Sequence, residues 1–257
     1  LAGTPDGVPS GWIARHLASS EPTSVSPLRA VSIARLMPDS LRGATGANAL
    51  ASLSDFPLDL PRRPAGPSDL RSALDSLYAD GSDLVTEAGR ATLSVLDTVR
   101  RLDPERYQPS GGALYPDGEL GRSLKQVACL VKGGVGLEAA CLELNGWDTH
   151  VAQGSGGGLL AGLLSELGGS LAAVDRDLGE RMNRVTVVVM TEFGRRLQEN
   201  SGLGTDHGRA SVMMLMGGGL SAPMVHAKWP GIARHQLEEE IDLRVTTDYR
   251  DVLSEVV

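Results

Sequence analysis

The stretch Val185-Thr186-Val187-Val188-Val189-Met190, running straight into Thr191-Glu192-Phe193-Gly194-Arg195-Arg196, decides the fold class. Its first six residues are apolar or β-branched throughout, which reads as a strand buried on both faces. Upstream, Leu159 to Met182 has the periodicity of a long amphipathic helix, and Val135 to Leu144 before it reads as another apolar strand. Downstream, Val212-Met213-Met214-Leu215-Met216 is a third, ended by Gly217-Gly218-Gly219. Apolar strands separated by helix-length connections predict an α/β protein with a doubly wound, mostly parallel sheet and helices on both faces.

Outward from this core, residues 1–134 read as irregular and helical. A short helix is expected at Gly11–Leu17 and a strand at Leu28–Leu36, followed by a connection punctuated by Pro57, Pro61, Pro64 and Pro67. Helical spacing begins at Ser68-Asp69-Leu70, resumes from about Ser82 to Leu102, and returns from Leu120 to Lys132, where Gly133-Gly134 ends it. The expectation is a single α/β domain over 1–257, with its motif-bearing sheet core at 135–257. Cys129 and Cys141 are expected as free thiols.

The 257 residues carry 24 basic and 32 acidic side chains, a net charge of −8, and 41% are hydrophobic. That composition belongs to a soluble globule, and its negative balance argues against a nucleic-acid binder, whose surface needs clustered Lys and Arg. No apolar run approaches the roughly 20 residues of a membrane span. The chain opens on Leu1 without a leader pattern and closes at Val257 inside a helical one, so further segments are expected at both ends.

In open parallel sheets, functional groups collect beyond the carboxyl ends of strands. Three polar clusters hold that position: Asn145-Gly146-Trp147-Asp148-Thr149-His150, then Thr191 to Arg196, then Asn200 to Arg209 with Thr205-Asp206-His207-Gly208 inside it. Asp148, His150, Glu192, Asp206 and His207 thus bring three carboxylates and two imidazoles to one sheet edge, a mixture that suits Zn²⁺, Mn²⁺ or Fe. Asp148 and His150 can reach one ion from an extended segment. Asp206 and His207 diverge unless the backbone turns, which Gly208 permits. Arg195 and Arg196 read either as a clamp for an anion or as a surface pair.

Other candidates read as structural. His16 lies on an amphipathic helix, His235 beside the acidic run Glu238-Glu239-Glu240, and Gly154 to Gly158 is a flexible helix entry. His226, after a possible short strand at 222–225, stands as a further imidazole outside the main set. Thr247-Asp248 caps a final helix. No Gly-x-Ser-x-Gly elbow is present, which weakens a serine-hydrolase reading.

Four motifs in order, Gly146-Trp147-Asp148-Thr149-His150, Thr191-Glu192-Phe193-Gly194-Arg195, Gly204-Thr205-Asp206-His207-Gly208 and Thr247-Asp248-Tyr249-Arg250, resemble an uncharacterised bacterial family. It is known as domain of unknown function 1501 and is grouped with the alkaline phosphatase and sulfatase superfamily. The motifs cover residues 135–257, and the remainder is similar chiefly through Gly11-Trp12 and Leu28–Leu36. The resemblance implies an alkaline-phosphatase-like fold with Asp148, His150, Asp206 and His207 binding one or two divalent ions. It implies Glu192 as a ligand or orienting base and Arg195 as the holder of a small anionic ester substrate.

The superfamily's first-strand Asp and its Ser, Thr or modified Cys nucleophile have no counterpart in the chain. They would lie upstream, on a strand ending in an Asp. The nucleophile would otherwise be a water activated by the ion. Export signals common in the family imply a periplasmic or extracellular setting. The expected function is therefore metal-dependent hydrolysis of phosphate or sulfate esters; the alternative is an exported, non-catalytic binding or assembly protein that keeps the fold and engages a protein partner.

Overall fold

The computed structural model describes residues 9–21, 26–55, 67–220 and 224–256. It is a mixed α/β chain in two compact units, one formed by Leu1–Pro109 and Arg122–Glu143, the other by Ser110–Gly121 and Leu144–Val257.

The first unit is built on a three-stranded parallel sheet. Strand β1 (Ala30–Ile33) lies between β2 (Ala47–Leu50) and β3 (Ala139–Cys141), with Ala30 opposite both Ala47 and Ala139. All four residues of β1 are buried, as a central strand covered on both faces requires. On one face Val31 and Leu50 pack with Leu28, Leu53, Val95, Val99 and Leu130; on the other Ala30 packs with Leu17 and Leu41. Leu17 comes from α1 (Trp12–Ser19), Val95 and Val99 from α3 (Leu84–Leu102), and Leu130 from α4 (Glu119–Gly133). Helix α2 (Pro67–Leu77) is tied to α3 by Arg71, which donates to Asp75 on its own helix and to Asp97.

Helix α3 starts where a local acceptor is available: Asp83 Oδ1 accepts from the backbone N–H groups of Val85 and Thr86, and Oδ2 from the Thr86 hydroxyl. Arg100 and Arg101 in its last turn complement the helix dipole. Neither cysteine is in a disulfide; Cys129 is buried and Cys141 half-buried.

The second unit is organised by α5 (Leu159–Leu178), whose buried residues Leu167, Ser170, Val174 and Asp177 repeat at three and four. Asp177 accepts from the Ser110 N–H and the Tyr115 hydroxyl, and Glu166 accepts from the Leu120 N–H at the start of α4. After a 3₁₀ segment (Gly179–Arg184), β4 (Thr186–Val189) pairs with β7 (Met214–Gly217). Between them β5 (Gly194–Glu199) and β6 (Thr205–Gly208) form a bulged hairpin, and α6 (Tyr249–Val256) follows. Asp248 accepts from the Arg250 N–H at the start of α6, the cap expected there.

Two expectations are corrected. The strands at 185–190 and 212–216 pair antiparallel, with Thr186 opposite Gly217 and Val189 opposite Met214. A parallel pair needs a crossover, usually a helix, and the chain between these strands is spent on the β5–β6 hairpin, which returns it along β4. The parallel sheet is instead assembled largely from residues 30–50, in the part read as irregular and helical. Its partner from the 135–144 stretch shortens to Ala139–Cys141. The Pro57, Pro61 and Pro64 connection lies outside the described residues, as do Ala222 and Pro223 of the possible strand at 222–225, while Met224 and Val225 are not in a strand. Among the described residues no helix is long and apolar enough to cross a membrane.

Candidate metal centre

The site forms in the second unit, where the 147–153 segment meets the β5–β6 hairpin. Two successive tight turns, Thr149 N–H to Trp147 O and His150 N–H to Asp148 O, curl the backbone so that Asp148 and His150 converge from positions i and i+2. Register across the hairpin sets His207 opposite Arg195, and Phe193 stacks on the His207 ring with centroids 3.8 Å apart. Gly204 lets the hairpin loop approach: a Cβ there would stand 2.4 Å from Thr149 O and 2.3 Å from His150 O.

The result is one exposed point of convergence. Asp148 Oδ1 lies 2.7 Å from His207 Nε2 and 3.0 Å from His150 Nε2, and one ligand atom from each of the three lies within 4.8 Å of the others. A tetrahedral Zn²⁺ with bonds of about 2 Å spaces its ligand atoms by roughly 3.3 Å, close to the two distances to Asp148 Oδ1. Two imidazoles and a carboxylate are also a donor set that Zn²⁺ and Fe²⁺ take. The Asp148 side chain is 61% exposed, which leaves room for further ligands.

Asp206 stands behind His150 rather than in that trio. Its Oδ1 is 3.1 Å from His150 Nδ1, which leaves Nε2 facing Asp148. Asn200 supports it by donating to Asp206 Oδ1 and His150 O while accepting from the N–H groups of Gly202 and Gly204. Arg195 donates to the carbonyls of Trp147 and Thr205 and to Asp148 Oδ1, holding the two segments together. These contacts keep both carboxylates ionised. A hydrogen bond from His207, reinforced by the nearby His150 and Arg195, holds Asp148 below the usual carboxylate range. Hydrogen bonds from Asn200 and then His150 do the same for Asp206.

Of the expected residues, Asp148, His150, His207, Asp206 and Arg195 are brought together. Glu192 is exposed between β4 and β5 and has no side-chain hydrogen bond or ion pair among the described residues; Thr191 beside it bonds Ser211. His16, His226 and His235 are exposed and outside the cluster. Asn200, Gln153, Thr149 and Thr205 have supporting roles that sequence reading did not single out. The bonds of Asn200 to His150 O and of Thr205 to Gln153 cross about 50 residues of chain and leave no local pattern; the one available signal is that Asn200 opens a Gly-rich loop.

Fold and cluster together define a mixed α/β protein with a candidate metal centre. The model of a family of proteins of unknown function, DUF1501, matches residues 87–256, well over half of the chain, and the protein belongs to that family. The match reaches from α3 through all four motifs. No curated protein and no solved structure matches the chain.

Proposed function

We propose that the protein is a metal-dependent hydrolase of phosphate or sulfate esters, an exported variant of the alkaline phosphatase and sulfatase type. The observation that carries this reading is the convergence of Asp148, His150 and His207 on one exposed point, backed by Asp206. Three protein ligands leave coordination open, as catalytic rather than closed structural sites do, and a single cluster supports one ion of Zn, Mn or Fe. An ion held by Asp148, His150 and His207 would supply Lewis-acid polarisation of an ester oxygen and a more acidic bound water. Asp206 accepts from His150 Nδ1–H and fixes the tautomer that presents Nε2. Arg195 braces the Asp148 side chain and the two segments that carry the ligands. A small parallel sheet covered on both faces is in keeping with an alkaline-phosphatase-like architecture.

A second reading, a non-catalytic binding or assembly protein that retains the metal, is favoured by Arg195. Its guanidinium is engaged by two carbonyls and Asp148 and is not turned outward to hold an anion.

The experiment is turnover of p-nitrophenyl phosphate and p-nitrophenyl sulfate by protein loaded with Zn²⁺ or Mn²⁺, beside a His150→Ala/His207→Ala variant. Hydrolysis by the wild type, lost in the variant, is the expected result. A tightly held ion with no turnover of either ester moves the conclusion to the second reading.

A further inference from the structure

We infer that Gln153 is a positioning residue that sets the gap between the two ligand-bearing segments, and so tunes the affinity of the centre for a divalent ion; this rests on the metal-binding reading above. Its amide oxygen Oε1 accepts from Thr149 Oγ1 at 2.9 Å and from Thr205 Oγ1 at 2.8 Å. Thr149 lies between Asp148 and His150, and Thr205 directly precedes Asp206 and His207. One carbonyl oxygen, with both lone pairs used, therefore ties the middle of one ligand pair to the root of the other.

Gln153 is itself well anchored. Its N–H donates to Leu203 O at 3.0 Å, and its carbonyl accepts from Leu160 N–H in the first turn of α5 at 3.3 Å. Thr149 is only 5% exposed, and besides Gln153 its hydroxyl reaches only the Trp147 carbonyl at a long 3.5 Å among its side-chain bonds. The neighbouring backbone is strained to make the crossing: Leu203, one partner of the Val151–Leu203 bridge, has φ 61°, and Ala152, next to the other partner, has φ 50°, both non-glycine residues in the left-handed region. Such strain persists only where surrounding contacts over-determine the geometry, and Gln153 supplies three of those contacts in addition to its side-chain pair with Thr205. Without the clasp the remaining direct tie between the Thr residues is a long backbone bond, Thr205 N–H to Thr149 O at 3.4 Å.

Zn²⁺ affinity, measured by competition with a chromophoric chelator, tests this on wild type, Gln153→Ala, Gln153→Glu and Thr205→Val, with thermal unfolding of each metal-free protein alongside. Gln153→Ala is expected to bind Zn²⁺ about 10- to 100-fold more weakly, with its metal-free unfolding temperature lowered by only a few degrees by the Thr149 donor left without this acceptor. Gln153→Glu, which keeps an acceptor oxygen at the same reach, restores most of the affinity. Thr205→Val, a near-isosteric removal of one donor, weakens binding without Gln153→Ala having to fold, and the two changes combined cost less than their sum. Wild-type affinity in Gln153→Ala and Thr205→Val overturns the inference while leaving the metal centre standing. Failure of the wild type to bind Zn²⁺ overturns the metal-binding reading and this inference with it.

Discussion

His150 turns its Nδ1 to Asp206 Oδ1 at 3.1 Å, so the imidazole is held from behind by a carboxylate while its Nε2 meets Asp148 at 3.0 Å. This carboxylate–imidazole arrangement is how proteins orient a metal-ligating histidine. It places Asp206 and Asp148 on opposite nitrogens of one imidazole, although both were equal candidates for ligation in the sequence.

Asp206→Ala is accordingly expected to weaken Zn²⁺ binding by about 10- to 100-fold, and Asp148→Ala to weaken it more. Calorimetric titration of the two variants decides the matter. Equal losses would make Asp206 a direct ligand.

Gly204→Ala is expected to abolish Zn²⁺ binding while leaving the helical circular dichroism intact. The added methyl would meet Thr149 O and His150 O at under 2.5 Å and drive the hairpin loop from the 147–153 segment. Retained binding would show that the two segments separate without consequence.

The buried carboxylate of Asp177 anchors α5 by accepting from Ser110 N–H and Tyr115 Oη–H. Asp177→Ala removes the carboxylate that both donors reach and is expected to cost about 2–4 kcal/mol in urea unfolding, with Tyr115→Phe costing roughly 1 kcal/mol. A change within about 0.5 kcal/mol of wild type for Asp177→Ala would contradict this role.

Asp83 gives a pH signature. Hydrogen bonds from the Thr86 hydroxyl and from the backbone of Thr86 and Val85 lower its pKa in the folded protein. A depressed carboxylate contributes stability above its unfolded pKa of about 3.9 and loses it as pH falls through the folded value. Asp83→Ala is thus expected to lower Tm by about 2–4 °C at neutral pH, with the difference from wild type closing below about pH 4. A pH-independent difference would assign the effect to something other than the ionised cap.

Particular residues show what was legible in the sequence. The helices at 84–102, 119–133 and 159–178 follow from apolar spacing, with Gly133-Gly134 marking the end of the second, because a helix is specified by neighbours in the chain. Strand β4 was legible from its valines, but its direction was not, since pairing depends on the hairpin after it. That hairpin was hidden because Gly194-Arg-Arg-Leu-Gln-Glu199 and Thr205-Asp-His-Gly208 are polar and lack strand-like alternation. Asp148, His150 and His207 were legible as metal-type side chains in short motifs. Gln153 and Asn200 were not, because amide side chains bridging distant loops have no spacing rule.

The central claim is that Asp148, His150 and His207 hold a divalent ion, and plasma mass spectrometry of protein purified without chelator and equilibrated with Zn²⁺ tests it most directly. We expect one equivalent in the wild type and none in His150→Ala/His207→Ala. A wild type without bound metal, or a variant that binds as much, would contradict the account.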